Sequence, residues 1–144
     1  MVSPFKPHII TLGVEVISRS KKFYEKGLGL QPSSASQDDI VFYPCGGIVL
    51  ALYPREKLAK DATVIAKGSG FSGLTLSHNA RSEKDVDAIL KKAETAGAKI
   101  LKPAQKVFWG GYSGYFKDPD GHLWEVAYNP YFEFDGQGNL KLSA

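Results

Sequence analysis

The sequence predicts an α+β fold of two βαβββ modules, whose curved mixed sheets enclose a cleft. The same order of extended and helical segments occurs twice along 144 residues. The letters also repeat weakly, since Ile10-Thr11-Leu12 parallels Leu74-Thr75-Leu76, and both modules close on proline, at Tyr53-Pro54 and Tyr128-Asn129-Pro130. Because one curved sheet alone would expose an apolar face, we expect the modules to pair, within the chain or across a dimer.

Module one spans residues 7–54. Ile9 to Val16 is apolar and β-branched, which predicts a strand, and Ser18 can cap a helix through Lys26 that the following glycines end. Three short extended runs then predict the three strands that complete the module. They are Gln31 to Ser36, Ile40 to Tyr43 and Gly47 to Tyr53.

Module two, residues 71–130, follows a charged connector of one or two helical turns at residues 55–70. Phe71 to His78 predicts a strand, and Ser82 opens a helix whose apolar residues keep the i, i+3, i+4, i+7 spacing until Gly97. Three strands complete the module, and residues 131–144 form a tail of the same single domain. The strands are Lys99 to Lys102, Gly111 to Phe116 and His122 to Tyr128.

A tight turn joins the last two of these strands into a hairpin. In Asp118-Pro119-Asp120-Gly121 the proline presets φ, an aspartate bonds backbone amides and the glycine takes the position that needs a positive φ. Aromatic and β-branched residues on both sides favour pairing as antiparallel strands. The second of these strands carries one carboxylate, Glu125, between mostly apolar residues.

Charge and cysteine content exclude several classes of function. The 18 basic and 15 acidic residues are interspersed and give a net charge of +3, so no basic stripe suggests nucleic-acid binding. The single cysteine, Cys45, cannot form an internal disulfide. No apolar run reaches membrane-spanning length, and the N-terminus lacks the layout of a secretory signal. We therefore expect a cytoplasmic protein without nucleic-acid or membrane partners.

Two stretches of the chain resemble the vicinal oxygen chelate superfamily, which includes glyoxalase I, bleomycin-resistance proteins and extradiol dioxygenases. The first is Leu12-Gly13-Val14-Glu15-Val16-Ile17-Ser18-Arg19-Ser20, followed by Phe23-Tyr24 and Gly27-Leu28-Gly29-Leu30. The second is the closing Asp-Pro-Asp-Gly-x-x-x-Glu that ends at Glu125. The resemblance covers residues 7–130 and implies a homodimer with its active site in the cleft.

The resemblance also implies a divalent metal, held by His or Glu side chains on the first and last strands of each module. The matching positions are Ile9, Leu50 or Ala51 depending on a one-residue gap, Gly73 and Glu125. Three of the four carry side chains that cannot bind a cation, and a one-residue slip of the first strand rescues only His8. We predict no cofactor, with a divalent metal through His8 as the alternative.

Glu125 is the candidate catalytic residue. A carboxylate in mid-strand is costly to bury without a partner, so it could act as a general base, or pair structurally with a lysine or a backbone amide. Alternation along the strand puts Leu123 and Ala127 on its face and sends Trp124 and Val126 towards the helices.

The predicted cleft has a small apolar wall with a few hydroxyls and an aromatic rim. Its candidate substrate-binding residues are Thr11, Thr75, Ser77, Trp109, Tyr112 and Tyr115. Such a cavity suits an organic molecule with a planar part, although the aromatic residues could instead fill the core or a dimer interface. We predict a small-molecule binding protein like the bleomycin-resistance branch, without a metal. The alternative is a lyase, isomerase or dioxygenase of the glyoxalase type, such as a lactoylglutathione lyase, that uses Glu125 as base or metal ligand.

Overall fold

The computed structural model describes residues 4, 7–68, 70–72 and 74–142, and the chain divides into two compact units, Met1–Gly73 and Leu74–Ala144. Each unit contains a mixed sheet, with helical segments packed on it in the first unit and one helix in the second. The predicted α+β class with two modules of strands and helices is confirmed.

The first unit has a three-stranded sheet. Its elements are β1 (Ile9–Val14), α1 (Ile17–Lys21), a π-helical turn (Lys22–Gly27), β2 (Val41–Cys45), β3 (Ile48–Pro54) and α2 (Arg55–Asp61). The strand order is β1-β3-β2, with β1 parallel and β2 antiparallel to β3. The last strand of the module therefore lies at the centre of the sheet, beside the first.

A partly buried hydrogen bond identifies the helix side of this sheet. Tyr43 is fully buried, and its hydroxyl donates to Oε2 of Glu25 on the π-helical turn at 2.9 Å. Leu50 lies directly opposite Tyr43, so it also faces the helices. The opposite face carries Ile9, Thr11, Gly13, Val49, Ala51 and Tyr53.

Two details of this unit differ from the sequence prediction. The first helix begins at Ile17 with Val16 at its N-cap, so Ser18 lies inside the helix and does not cap it. The segment predicted as a strand at Gln31 to Ser36 contains a turn, in which the backbone N–H of Ser36 donates to the carbonyl of Ser33 at 3.0 Å.

Serine side chains explain this turn. The hydroxyl of Ser33 accepts from the backbone N–H of Ala35 at 3.1 Å, and the hydroxyl of Ser36 accepts from the backbone N–H of Phe42 at 2.9 Å. Such local bonds offer the backbone an alternative to a strand ladder. Pro32 also lacks the N–H that a paired strand would use.

The second unit has the predicted βαβββ order. Its elements are β4 (Leu76–Ala80), α3 (Glu83–Thr95), β5 (Lys99–Lys106), β6 (Tyr112–Lys117), β7 (Leu123–Tyr128) and a short hairpin of β8 (Glu133–Phe134) and β9 (Leu140–Lys141). The sheet order is β4-β7-β6-β5, with β4 parallel to β7 and the other pairs antiparallel. The first strand begins at Leu76 rather than Phe71, and Gly73 lies outside the described residues.

Helix α3 packs on β5, β6 and β7. It begins as predicted, because the hydroxyl of Ser82 accepts from the backbone N–H of Asp85 at 3.1 Å, and it ends before Gly97, whose φ is +116°. Its buried residues are Val86, Leu90 and Ala93. At 13 residues it is the longest helix described, and none of the described helices is long and apolar enough to span a membrane.

The turn between β6 and β7 forms as predicted. Asp118 is buried, and its Oδ1 accepts from the backbone N–H groups of Asp120 at 2.9 Å and His122 at 2.8 Å. Gly121 has a φ of +90°, and its N–H donates to the carbonyl of Asp118 at 3.0 Å. These bonds fix the register that places Tyr115 opposite Glu125.

The tail after β7 contacts two loops of the second unit. The guanidinium of Arg81, which follows β4, lies 4.5 Å from the ring centroid of Phe134. The ring of Tyr131 covers Gly110, so that a Cβ at Gly110 would lie 3.3 Å from it. The tail is thus a short hairpin attached to this sheet, where the sequence predicted no element.

Candidate functional site

Helix α3 covers one face of the four-stranded sheet. The hydroxyl of Tyr112 on β6 donates to Oδ1 of Asp87 on α3 at 2.8 Å. Gly114 lies so close to the helix that a Cβ there would be 2.8 Å from Cδ1 of Leu90. Since side chains alternate along a strand, Ser113 and the residues in phase with it point to the other face.

We call this other face the Glu125 face. Its members are Ser77 and Asn79 on β4, Leu123, Glu125 and Ala127 on β7, Ser113, Tyr115 and Lys117 on β6, and Lys99, Lys102 and Gln105 on β5. Trp124 lies on the α3 side with Phe116, their rings stacked at 6.1 Å, and Val126 is fully buried. The predicted alternation along β7 is confirmed.

Directly opposed residues form two rows across all four strands of the Glu125 face, and all of their side chains except that of Ala127 are polar. The first row is Ser77, Glu125, Tyr115 and Lys102, and the second is Asn79, Ala127, Ser113 and Gln105. In the second row Ser113 and Ala127 are buried. This face therefore carries more hydrogen-bonding groups than the small apolar wall that the sequence predicted.

Hydroxyl groups surround the Glu125 carboxylate at the centre of the first row. Ser77 Oγ donates to Glu125 Oε1 at 3.1 Å. Burial raises the pKa of Tyr115, and the charge of Glu125 and a hydrogen bond to its carboxylate raise that pKa further. Among the described residues no lysine, arginine or histidine nitrogen lies within 4.0 Å of Glu125. The half-buried carboxylate thus contacts hydroxyls rather than the lysine considered from the sequence.

The other predicted substrate-binding residues are spread over the chain. Tyr112 lies on the α3 side of the sheet, where the hydrogen bond to Asp87 raises its pKa. Trp109 is half-buried in the loop between β5 and β6, Thr75 is exposed just before β4, and Thr11 is half-buried on β1 of the first unit. The structure brings together Ser77, Tyr115 and Glu125.

The positions implied for a divalent metal do not supply a suitable set of ligands. Leu50 faces the helices, so Ala51 occupies the matching position on β3, and Ile9 shares its face. His8 directly precedes Ile9 and is therefore on the other side of the strand. No group of three or more His, Cys, Asp or Glu side chains suited to a metal occurs in the part of the chain that the structure describes. These residues do not fit the metal that the resemblance implies.

The sequence interpretation missed the lysines and amides of the Glu125 face. Ser113 and Lys117 could be assigned to this face from the sequence, since both are in phase with Tyr115 on one strand. Lys102 and Gln105 could not, because the register between β5 and β6 shifts on both sides of Lys102. Each shift changes which residues share a face, and no feature of the sequence marks it.

A family model described as Glyoxalase/Bleomycin resistance protein/Dioxygenase superfamily matches residues 6–126. The crystal structure of a glyoxalase-related enzyme from Fulvimarina pelagi is 34% identical, with a TM-score of 0.86 over 96% of this chain and 99% of that one. A comparison with proteins of curated function returns no match.

More distant structures show the fold alone. A glyoxalase/bleomycin resistance protein/dioxygenase family enzyme from Burkholderia phytofirmans PsJN is 19% identical, with a TM-score of 0.74 over 83% of this chain and 95% of that one. A lactoylglutathione lyase from Agrobacterium tumefaciens is 22% identical, with a TM-score of 0.68 over 92% of this chain and 100% of that one.

Proposed function

The chain belongs to the Glyoxalase/Bleomycin resistance protein/Dioxygenase superfamily, and from this premise we propose that it binds a small organic molecule on the Glu125 face. The observation that supports this proposal is the Glu125 carboxylate, which is half-buried beside two hydroxyls and has no cation within 4.0 Å among the described residues. Partial burial of a charge without a counter-charge costs free energy. A ligand that donates a hydrogen bond to this carboxylate offsets that cost.

Ser77 and Tyr115 act as positioning residues in this proposal. Ser77 donates to one carboxylate oxygen, and Tyr115 lies directly opposite Glu125 on the neighbouring strand. A carboxylate has about four lone-pair sites, so acceptor capacity remains for a ligand. The two hydroxyls hold the carboxylate in one orientation, which lowers the entropy lost on binding.

We further propose that binding requires no metal and that the protein is a homodimer. Ile9 and Ala51 occupy two of the positions implied for metal ligands, and their hydrocarbon side chains support binding without a metal. Large exposed apolar side chains support the second, since Phe108 is 100% exposed and Phe71 is 71% exposed. Native mass spectrometry after incubation with Fe, Mn, Ni or Zn and dialysis should show a dimer without bound metal. Near-stoichiometric metal would contradict the first proposal, and a monomer at micromolar concentration would contradict the second.

An enzymatic role is the second candidate. The similar structure from Fulvimarina pelagi is described as a glyoxalase-related enzyme, and the Glu125 carboxylate accepts a hydrogen bond from Ser77 with acceptor capacity to spare. In a lyase or isomerase of this type Glu125 would remove a proton from a carbon next to a carbonyl group of the bound molecule. Turnover by wild type but not by Glu125→Gln would favour this candidate over simple binding.

Glu125→Gln is expected to weaken ligand binding at least about tenfold, because a hydrogen bond to a charged group contributes about 1.5–3 kcal/mol. The measurement is a fragment screen by amide chemical shifts, in which hits to wild type shift β7 resonances. The same spectra show whether the variant keeps its fold.

Glu94→Gln on the exposed surface of α3 is the matched control, since it removes the same charge away from the Glu125 face. It should retain wild-type affinities. If Glu125→Gln binds the same molecules equally well and only loses stability, Glu125 is a structural residue and the proposal is wrong.

A further inference from the structure

Three lysines share the Glu125 face with the carboxylate. Lys99 lies directly opposite Lys117, and Lys102 lies directly opposite Tyr115. Lys99 and Lys102 are exposed, whereas Lys117 is half-buried. Within the described ranges, no carboxylate oxygen lies within 4.0 Å of any of the three amino groups. One face of this sheet thus carries three lysines that form no ion pair among the described residues.

The fold itself does not require this concentration of charge. Like charges directly opposite each other on neighbouring strands destabilise a sheet. Lysines on an edge strand prevent pairing with another sheet, which accounts for Lys99 and Lys102 on β5. That explanation does not extend to Lys117, because β6 is an inner strand of the sheet.

The lysines are close enough to Glu125 for one small molecule to reach both kinds of charge. Glu125 and Lys102 are in the same row with Tyr115 between them, so their backbones are about 10 Å apart, two strand spacings. Lys117 is a diagonal neighbour of Glu125 on the adjacent strand, at roughly 7–8 Å. A small molecule that lies over the Tyr115 ring would contact opposite charges at its two ends, because the lysine side chains can extend towards it.

We propose that the ligand of the Glu125 face is a small organic anion. Its carboxylate or phosphate group binds Lys99, Lys102 and Lys117, and a hydroxyl or amine at its other end donates to Glu125. Ser113 and Gln105 in the second row add neutral hydrogen-bonding groups beside the anionic end. This inference rests on the proposed function, since it names the chemical class of the molecule bound at the same site.

The test compares hydroxylated probes of different charge on the full chain. The probes are malate, glycerol 3-phosphate, uncharged glycerol and cationic ethanolamine, titrated by amide chemical shifts in low salt. We expect one or both anions to bind at least about tenfold more tightly than glycerol and to weaken as salt rises, since exposed charges are screened. A preference for malate identifies a carboxylate ligand, and a preference for glycerol 3-phosphate identifies a phosphate ester.

A pair of double variants with equal net charge locates the effect. Lys102→Gln/Lys117→Gln should weaken anion binding at least about tenfold, as expected for losing charge-assisted hydrogen bonds. Lys84→Gln/Lys92→Gln on the exposed surface of α3 should change affinity less than about twofold, because these charges are on the other side of the sheet.

Three results would overturn the inference. Glycerol could bind as tightly as the anions, both double variants could lose affinity equally, or cationic molecules could bind in a Glu125-dependent manner while anions do not. In the last case the proposed function stands and only the ligand class is wrong. If no molecule of any charge perturbs the Glu125 face, the proposed function fails as well.

Discussion

Gly114→Ala is expected to lower the free energy of unfolding by about 3 kcal/mol, the upper part of the range for an overpacked site. A Cβ at this position would lie 2.8 Å from Leu90 Cδ1, 2.8 Å from the carbonyl oxygen of Lys102 and 2.9 Å from the backbone nitrogen of Ala104. The leucine can rotate away, but the two backbone atoms belong to β5. The methyl group therefore forces β5 and β6 apart, and urea denaturation measures the loss.

Gly136→Ala is the matched control in the same unit. No atom lies within 4 Å of a Cβ built there, and its φ is not in the left-handed region. The substitution should change stability by less than about 0.5 kcal/mol. Equal stability of the two variants would mean that β5 does not pack against Gly114 as described.

Raising the pH above about 10 is expected to reduce the stability of the protein by about 1.4 kcal/mol per pH unit through Tyr43 alone. Burial raises the pKa of Tyr43, and the hydrogen bond to Glu25 and its negative charge raise that pKa further. An unfolded tyrosine ionises near pH 10, so the unfolded chain loses this proton first. The contribution is complete below that pH and is lost as pH rises towards the pKa of the folded state.

Tyr43→Phe tests this assignment, with stability measured by urea denaturation between about pH 8 and 11. The variant should be less stable at pH 8 by about 1.5–3 kcal/mol, because Glu25 loses its donor, and should lose the alkaline slope that Tyr43 contributes. Tyr53→Phe, on the other face of the same sheet, should keep the slope. An unchanged slope in Tyr43→Phe would show that another group controls the alkaline transition.

The β6–β7 hairpin could be predicted because its signals are local. The turn needs Asp118 and Gly121 at fixed positions, and strict alternation then assigns each residue of β7 to a face. The same reasoning was sufficient to separate Tyr112 from Tyr115. The two tyrosines are three residues apart in one strand and must therefore point to opposite faces. The alternation alone thus shows that they cannot both contact one ligand on the same face of the sheet.

Other features depend on interactions that the sequence does not display. The first helix was expected to continue to Lys26 as an α-helix, but the backbone N–H of Leu28 bonds to the carbonyl of Phe23, five residues earlier. This wider turn lets the adjacent Phe23 and Tyr24 both be buried, at 1% and 0% exposure. Packing of two large neighbours thus overrides the regular helical spacing.

The hydrogen bond between Ser77 and Glu125 also depends on an interaction that the sequence does not display. Ser77 and Glu125 are 48 positions apart, and they meet only because β4 pairs in parallel with β7. The sequence identified both residues but not their hydrogen bond, since the predicted first strand of module two, Phe71 to His78, was displaced from the observed β4. The register of a parallel pair has no local turn to fix it.

This parallel pairing also has a consequence for synthesis of the chain. Ribosomes add about 5–20 residues per second, so β4 waits roughly two to ten seconds for β7 to emerge and pair with it. The first unit has a similar delay, because β1 pairs in parallel with β3, 40 positions later in the chain. Each nascent unit therefore holds an unpaired strand edge through most of its own translation. In the second unit, β4 is unpaired while residues 81–128 are translated. The translation rate and the binding of chaperones during this interval should therefore affect how often the unit misassembles.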